Sequence, residues 1–153
     1  MTPPSVRPAT IKDVPAVLIM GRQFFNAAGW PEVTTWDEGS VETTLRGIIS
    51  GTIPGGLLVA GDDQPIGMIG FMVFPFYFNL SVTVAQEIFW WVEPQARFGA
   101  GIALLDAFEA AGAARGATVY IVSAVARMRN DALTRLYARR GYAPAENTFI
   151  RHG

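Results

Sequence analysis

The sequence predicts a mixed α/β fold. Two observations carry this: the apolar residues switch repeatedly between the two-residue period of strands and the longer period of helices, and no linker or internal repeat interrupts the alternation. At 153 residues, 50% of them hydrophobic and 16% charged, the chain has the size and apolar content for one compact domain over residues 1–153.

The elements follow in order. "VRPAT" is a short first strand, and "TIKDVPAVLIMGRQFFNAAG" a helix with Thr10 as N-cap, Asp13 in its first turn, and Val14, Val17, Leu18 and Phe25 near helical spacing. A second helix lies in "WDEGSVETTLRGIISG", with Ser40 as cap and Gly51 as stop. "GLLVAGDDQPIGMIGFMVFPFYF" reads as two strands around the turn Gly61-Asp62-Asp63-Gln64-Pro65, and "AQEIFWWV" as the next strand. "IALLDAFEAAGAARG" is a helix with Leu104, Leu105 and Phe108 on one side and Gly116 at its end. "ATVYIVSAV" is a buried strand, "NDALTRLYARRG" a helix with Asn130 as N-cap and Gly141 as stop, and "NTFIRH" a last strand.

Composition narrows the function classes. A formal net charge of -1 gives no general attraction to nucleic acid or to anionic membranes. With no cysteine and with His152 as the one histidine, disulfide scaffolds, thiolate nucleophiles and Cys- or His-cluster metal sites are excluded, so no metal is expected. The N-terminus lacks an apolar signal segment, and the most hydrophobic stretch, Gly67 to Val92, is broken by Pro75, Asn79, Gln86 and Glu87. The expectation is a soluble, cytoplasmic protein.

The stretch "EIFWWVEPQARFGAGIALL" joins a strand to a helix through Arg-Phe-Gly-Ala-Gly. The start of a helix leaves backbone N–H groups without partners and carries partial positive charge, so small residues there let a phosphate approach several amides. The amides of Arg97, Phe98, Gly99, Ala100, Gly101 and Ile102 form such a candidate cradle. A P-loop would need Lys-Ser/Thr after the glycines, where this chain has Ile102-Ala103; a Rossmann unit would want an acidic residue closing the next strand, and "TVYIVSAVAR" has none.

The order of elements and three local patterns resemble the Gcn5-related N-acetyltransferase (GNAT) superfamily. The patterns are "VRPATIKDVPAV", "WVEPQARFGAGIALL", which is similar to the family's pyrophosphate loop, and "NDALTRLYARRGY", with Asn130, Tyr137, Gly141 and Tyr142 in register. The closing run "LYARRGYAPAENTFI" also resembles acetyltransferase-like proteins encoded in phages and prophages. In the loop, the family's Gln/Arg position falls on Ala96 when counted back from the glycines and on Arg97 when counted forward from Val92 and Pro94.

The resemblance implies a central twisted, mostly antiparallel sheet of about seven strands flanked by about four helices, and transfer of an acetyl group from acetyl-CoA to a primary amine by direct attack. It implies that Trp91 and Val92 splay from the neighbouring strand and accept the pantetheine arm, that Arg97 to Ile102 and Asn130 contact the cofactor, and that Tyr137 protonates the leaving thiolate. Glu87 is the candidate base for the ammonium proton.

Each residue also has a plainer use. Tyr137 on an amphipathic helix can fill core, Glu87 can sit at a solvated strand end, and Arg127 and Arg129 can be solvated charges or can screen phosphates. The aromatic runs "FMVFPFYF" and "FWW" suit a core or an oligomer face, as in a homodimer. The acceptor is a small-molecule or peptide amine; Glu32, Asp37 and Glu38 would suit a cation. A non-catalytic CoA-binding or interaction protein of the same fold is the other reading.

Overall fold

The computed structural model describes residues 2–97, 99–128 and 130–153. Strand β1 (Val6–Pro8) leads through a 3₁₀ turn into helix α1 (Val14–Ala27), a second 3₁₀ turn (Trp30–Glu32) and helix α2 (Glu38–Ser50). Strands β2 (Gly55–Ala60), β3 (Gly67–Phe76) and β4 (Asn79–Val92) follow, then helix α3 (Ala100–Ala114), strand β5 (Ala117–Ile121) and helix α4 (Asn130–Arg139). The sheet has the order β1-β2-β3-β4-β5, antiparallel throughout except for the parallel pair β4 and β5.

The apolar runs of β2, β3 and β4 are buried on both faces, and their alternation sorts the core into two halves. Leu58, Ile69, Phe71, Ala85 and Val92 face Leu104, Leu105 and Phe108 of α3 and Tyr137 of α4. Their neighbours Leu57, Val59, Met68 and Trp91 face Val14, Val17 and Met20 of α1 and Leu45 and Ile48 of α2. Phe71 and Phe108 meet edge to face at 5.2 Å between centroids. Each such side chain, fully withdrawn from water, contributes about 1.5–3 kcal/mol.

Several expectations are corrected. Among the described residues five strands form, where about seven were expected. The run "NTFIRH" is no strand, and Phe149 and Ile150 within it are exposed, so nothing in the fold rewards pairing it. The strand read in "ATVYIVSAV" stops at Ile121, where its pairing with β4 ends at Gln86. Helix α2 is capped by Asp37, whose Oδ1 accepts the Ser40 N–H at 2.8 Å; Ser40 lies inside the helix.

Between Gly70 and Phe71 the register of β3 against β4 carries one extra residue. Gly70 pairs with Phe89 and Phe71 with Glu87, leaving Ile88 as a bulge, and a bulge turns the strand more sharply. On the other side β4 pairs with β5 only from Thr83 to Gln86. From Glu87 to Val92, β4 keeps β3 as a neighbour and, among the described residues, has no strand on the β5 side.

An ion pair ties β1 to α1. The Arg7 guanidinium donates to both oxygens of Asp13 at 2.7 and 2.9 Å, and the Thr10 N–H donates to Asp13 Oδ2 at 2.7 Å. The hydrogen bonds from Arg7 hold the Asp13 carboxyl below its ordinary range. Asp13→Asn is therefore expected to lower stability at neutral pH by about 2 kcal/mol in denaturant unfolding. A depressed native pKa contributes stability above the unfolded value and loses it as pH falls through the native one, so the deficit should close below the ordinary carboxylate range.

Candidate functional site

The parting of β4 and β5 opens a gap beside Glu87, and two side chains reach into it. Ser123, two residues past the end of β5, donates its N–H to Glu87 Oε2 at 3.3 Å. Its carbonyl accepts the Tyr137 hydroxyl at 2.8 Å. One peptide residue thus holds both predicted proton handlers, at the place where a continuing strand would have been paired.

Burial decides their chemistry. Glu87 is 8% exposed with one N–H as hydrogen-bond partner, and loss of water pushes its pKa up to about 7, against the smaller opposing pull of the Ser123 N–H. The Tyr137 phenol is held above its ordinary value by burial first, and then by the charges of Glu87 and Tyr142. Around neutrality the phenol stays protonated while the carboxyl exchanges its proton, which is the division of labour an acid and a base require.

The glycine loop lies at the far end of β4. A 3₁₀ turn (Pro94–Ala96) follows the strand, and Gly99 takes φ 82°, a left-handed conformation that a side chain would strain, immediately before α3. The first helical bond runs from the Ala103 N–H to the Gly99 carbonyl, so the amides of Ala100, Gly101 and Ile102 precede the helical ladder. A Cβ on Gly101 would meet the Trp90 ring at 3.5 Å, and one on Gly99 would meet Pro3 at 3.7 Å. The Trp90 ring in turn lies 6.4 Å from that of Tyr137, so it spans the distance between loop and gap on the α3 face.

Arg97 turns back toward the end of β4. Its Nε donates to the Val92 carbonyl at 3.0 Å, and its guanidinium stands 4.9 Å over the Trp91 ring. The side chain is folded back on the end of the strand whose backbone, Trp91 and Val92, was expected to accept a pantetheine arm. Trp91 points to the opposite face, where its Nε1 donates to Gln23. Phe98 and Arg129 lie outside the described residues; Asn130 opens α4, and its expected side-chain contact lies outside them too.

Two acidic residues expected near the acceptor are already engaged. Glu32 receives both arms of Arg127, one at 2.8 Å, and Asp37 caps α2. Arg127 packs where Gly29 leaves room, since a Cβ there would stand 2.7 Å from its Cδ. The ion pair therefore joins the α1–α2 connection to the segment between β5 and α4. Ser123 is the site residue that the sequence reading missed; it acts through its backbone, and its side-chain type gives no signal.

Among the described residues no group of His, Asp and Glu is placed to hold a metal ion, and no helix is long and apolar enough to cross a membrane. The fold has counterparts among proteins of known structure. A GCN5-related N-acetyltransferase from Ralstonia eutropha is 22% identical, with a TM-score of 0.73 over 96% of this chain and 97% of that one. An aminoglycoside acetyltransferase from an uncultured soil metagenomic sample is 17% identical, with a TM-score of 0.73 over 99% and 98%. A predicted acetyltransferase from Clostridium acetobutylicum, solved with acetyl-CoA, is 15% identical, with a TM-score of 0.72 over 96% and 94%. Comparison with curated protein sequences gives no match. The likeness to these structures is one of fold, and the family follows from the sequence itself: the model of the acetyltransferase (GNAT) family matches residues 22–142, and the chain belongs to that family.

Proposed function

We propose that the protein is an acetyl-CoA-dependent N-acetyltransferase that acts on a primary amine by direct attack. The observation that carries this reading is the gap beside β4, where Glu87 and Tyr137 meet on the two sides of Ser123. The residues fit the donor: among the described residues β4 from Glu87 onward has no strand paired on the β5 side, and Gly101 leaves ordinary contact space beside Trp90. The amides at the start of α3 would hold the pyrophosphate, with no side-chain help from Arg97. When bound, acetyl-CoA supplies an activated acetyl thioester.

The chain supplies the proton traffic. Glu87, half ionised near neutral pH, takes a proton from the acceptor ammonium at its carboxylate. Tyr137 keeps a proton on Oη across the neutral range, and turning that hydroxyl away from the Ser123 carbonyl makes it the donor on the leaving side. With no cysteine in the chain, a thiolate intermediate on the protein plays no part. The acceptor is a small-molecule or peptide amine, and one structural neighbour bears the name of an aminoglycoside acetyltransferase.

The decisive experiment is retention of acetyl-CoA under native conditions, followed by transfer to a panel of small and peptide amines, read by mass. An unretained cofactor would sink the reading. The loop is tested by substitution at Gly101: Ala fits the space beside Trp90, whereas Asp adds a negative charge to the helix start. Calorimetry should find Gly101→Ala near wild type and Gly101→Asp weaker for acetyl-CoA by tenfold or more, about 1.4 kcal/mol.

Glu87→Gln should separate function from stability. Wild-type kcat/KM is expected to rise as pH passes through about 7, where Glu87 loses its proton, and that inflection should vanish in the variant. A carboxyl whose native pKa lies above its unfolded value loses stability as pH rises between the two. The variant should therefore be more stable than wild type at pH 8, by about 3 kcal/mol, and similar to it at pH 5.

Tyr137→Phe keeps the ring packed against Trp90 and Tyr142 and removes the hydroxyl alone. Turnover should fall roughly 10- to 1,000-fold, with acetyl-CoA affinity unchanged and about 1 kcal/mol lost from the bond to Ser123. A variant of full activity would assign the proton to water.

A further inference from the structure

The C-terminal end of α4 is built around Tyr137. Gly141 takes φ 87°, and two bonds close the left-handed turn it makes. The Gly141 N–H donates to the Ala138 carbonyl at 3.2 Å, and the Tyr142 N–H donates to the Tyr137 carbonyl at 2.9 Å. This is the Schellman arrangement, in which the residue after the glycine also packs against the residue whose carbonyl it caps. Here both are aromatic, and the Tyr142 and Tyr137 rings lie 5.6 Å apart between centroids. Tyr142 therefore holds Tyr137 at two points, through its backbone and through its ring.

The cap is tied in turn to α3. The Tyr142 hydroxyl donates to Glu109 Oε1 at 3.0 Å. The Arg140 guanidinium donates to the same carboxylate, from Nε to Oε1 at 3.3 Å and from Nη2 to Oε2 at 2.8 Å. Nη2 also donates to Asp106 Oδ1, one turn earlier on α3. Burial first, and then the bond to Glu109, hold the Tyr142 phenol above its ordinary value, so it remains the donor of that pair at neutral pH. Along its length α4 packs Leu133 and Leu136 on the core, and apolar contacts of this kind hold a helix down without fixing its rotation. The directional bonds of the capped end fix it. The segment around Ser123, which receives the Tyr137 hydroxyl, has no regular structure to hold the phenol from the other side.

We propose that Tyr142 and Glu109 are positioning residues for the reaction, holding the Tyr137 hydroxyl at the Ser123 carbonyl beside Glu87 by way of the helix cap. The inference rests on the reading of Tyr137 as the proton donor. A rotation of about 10° carries atoms at the outer radius of a helix, roughly 5–6 Å from its axis, by about 1 Å. A misplacement of about 1 Å can cost on the order of 100-fold in rate. Glu109, Tyr120, Arg140, Gly141 and Tyr142 line an open groove of about 450 Å³, so a changed side chain at Glu109 leaves no buried void behind it.

Three variants test the proposal. Tyr142→Phe keeps the ring and the cap and removes the bond to Glu109; Glu109→Leu removes the same bond from outside the ring stack; Glu109→Gln restores an oxygen that accepts from Tyr142. Tyr142→Phe and Glu109→Leu should each lower kcat roughly tenfold with KM for acetyl-CoA unchanged, and Glu109→Gln should recover most of that loss. In a Tyr137→Phe background the first two substitutions should lower kcat no further, because the hydroxyl they position is gone. A merely structural role would subtract from kcat in both backgrounds, and that additivity would overturn the proposal. The phenol is also read without turnover, by NMR of protein isotope-labelled at the tyrosine Cζ, the Tyr137 signal being the one lost in Tyr137→Phe. Glu109→Leu should shift that signal and Glu109→Gln should return it toward its wild-type position. An unmoved signal would overturn the positioning itself, a result distinct from failure to retain acetyl-CoA, which overturns the reading it rests on.

Discussion

The candidate site depends on β4 having two strand neighbours along its first half and one along its second. Once Ile88 is bulged and β5 has parted from the strand, a stretch of backbone inside the sheet lacks the partner a sheet would supply. Glu87 and Tyr137 satisfy the exposed peptide groups of Ser123 with side-chain atoms, which is how a proton acceptor and a proton donor come to lie within one residue's reach. The same irregularity that interrupts the ladder brings the two side chains together.

Asp13 and Glu87 show what decides the behaviour of a buried carboxylate. Both are almost fully withdrawn from water, at 4% and 8% exposure, yet one is driven down and the other up. Asp13 meets the planar fork of Arg7 and a backbone amide; Glu87 meets one amide and, among the described residues, no cation. Two buried acids are thus driven in opposite directions by what faces them, and depth alone would not distinguish them.

Much of the fold was legible because it is written in local chemistry. The turn Gly61 to Pro65, the stop at Gly51 and the apolar stripe Leu104, Leu105, Phe108 each specify their element within a few residues. What could not be read is set by distant partners. Val122 and Val125 look like strand, but whether they pair depends on where β4 bends, and that depends on a bulge across from Gly70. The exposure of Glu87 was undecidable for the same reason. Phe149 and Ile150 have the composition of a strand without a neighbour to reward it. Ser123 escaped notice because a backbone amide and carbonyl are common to nearly every residue.

The position of Pro3 beside Gly99 has a practical side. Any polypeptide attached ahead of Pro3 emerges next to the start of α3, where small residues leave the backbone accessible. An affinity tag or fusion partner placed there would crowd the glycine loop, and a histidine-rich one would bring imidazolium charge to the amides at the start of α3. The last residues, exposed and free of regular structure, are the better point of attachment.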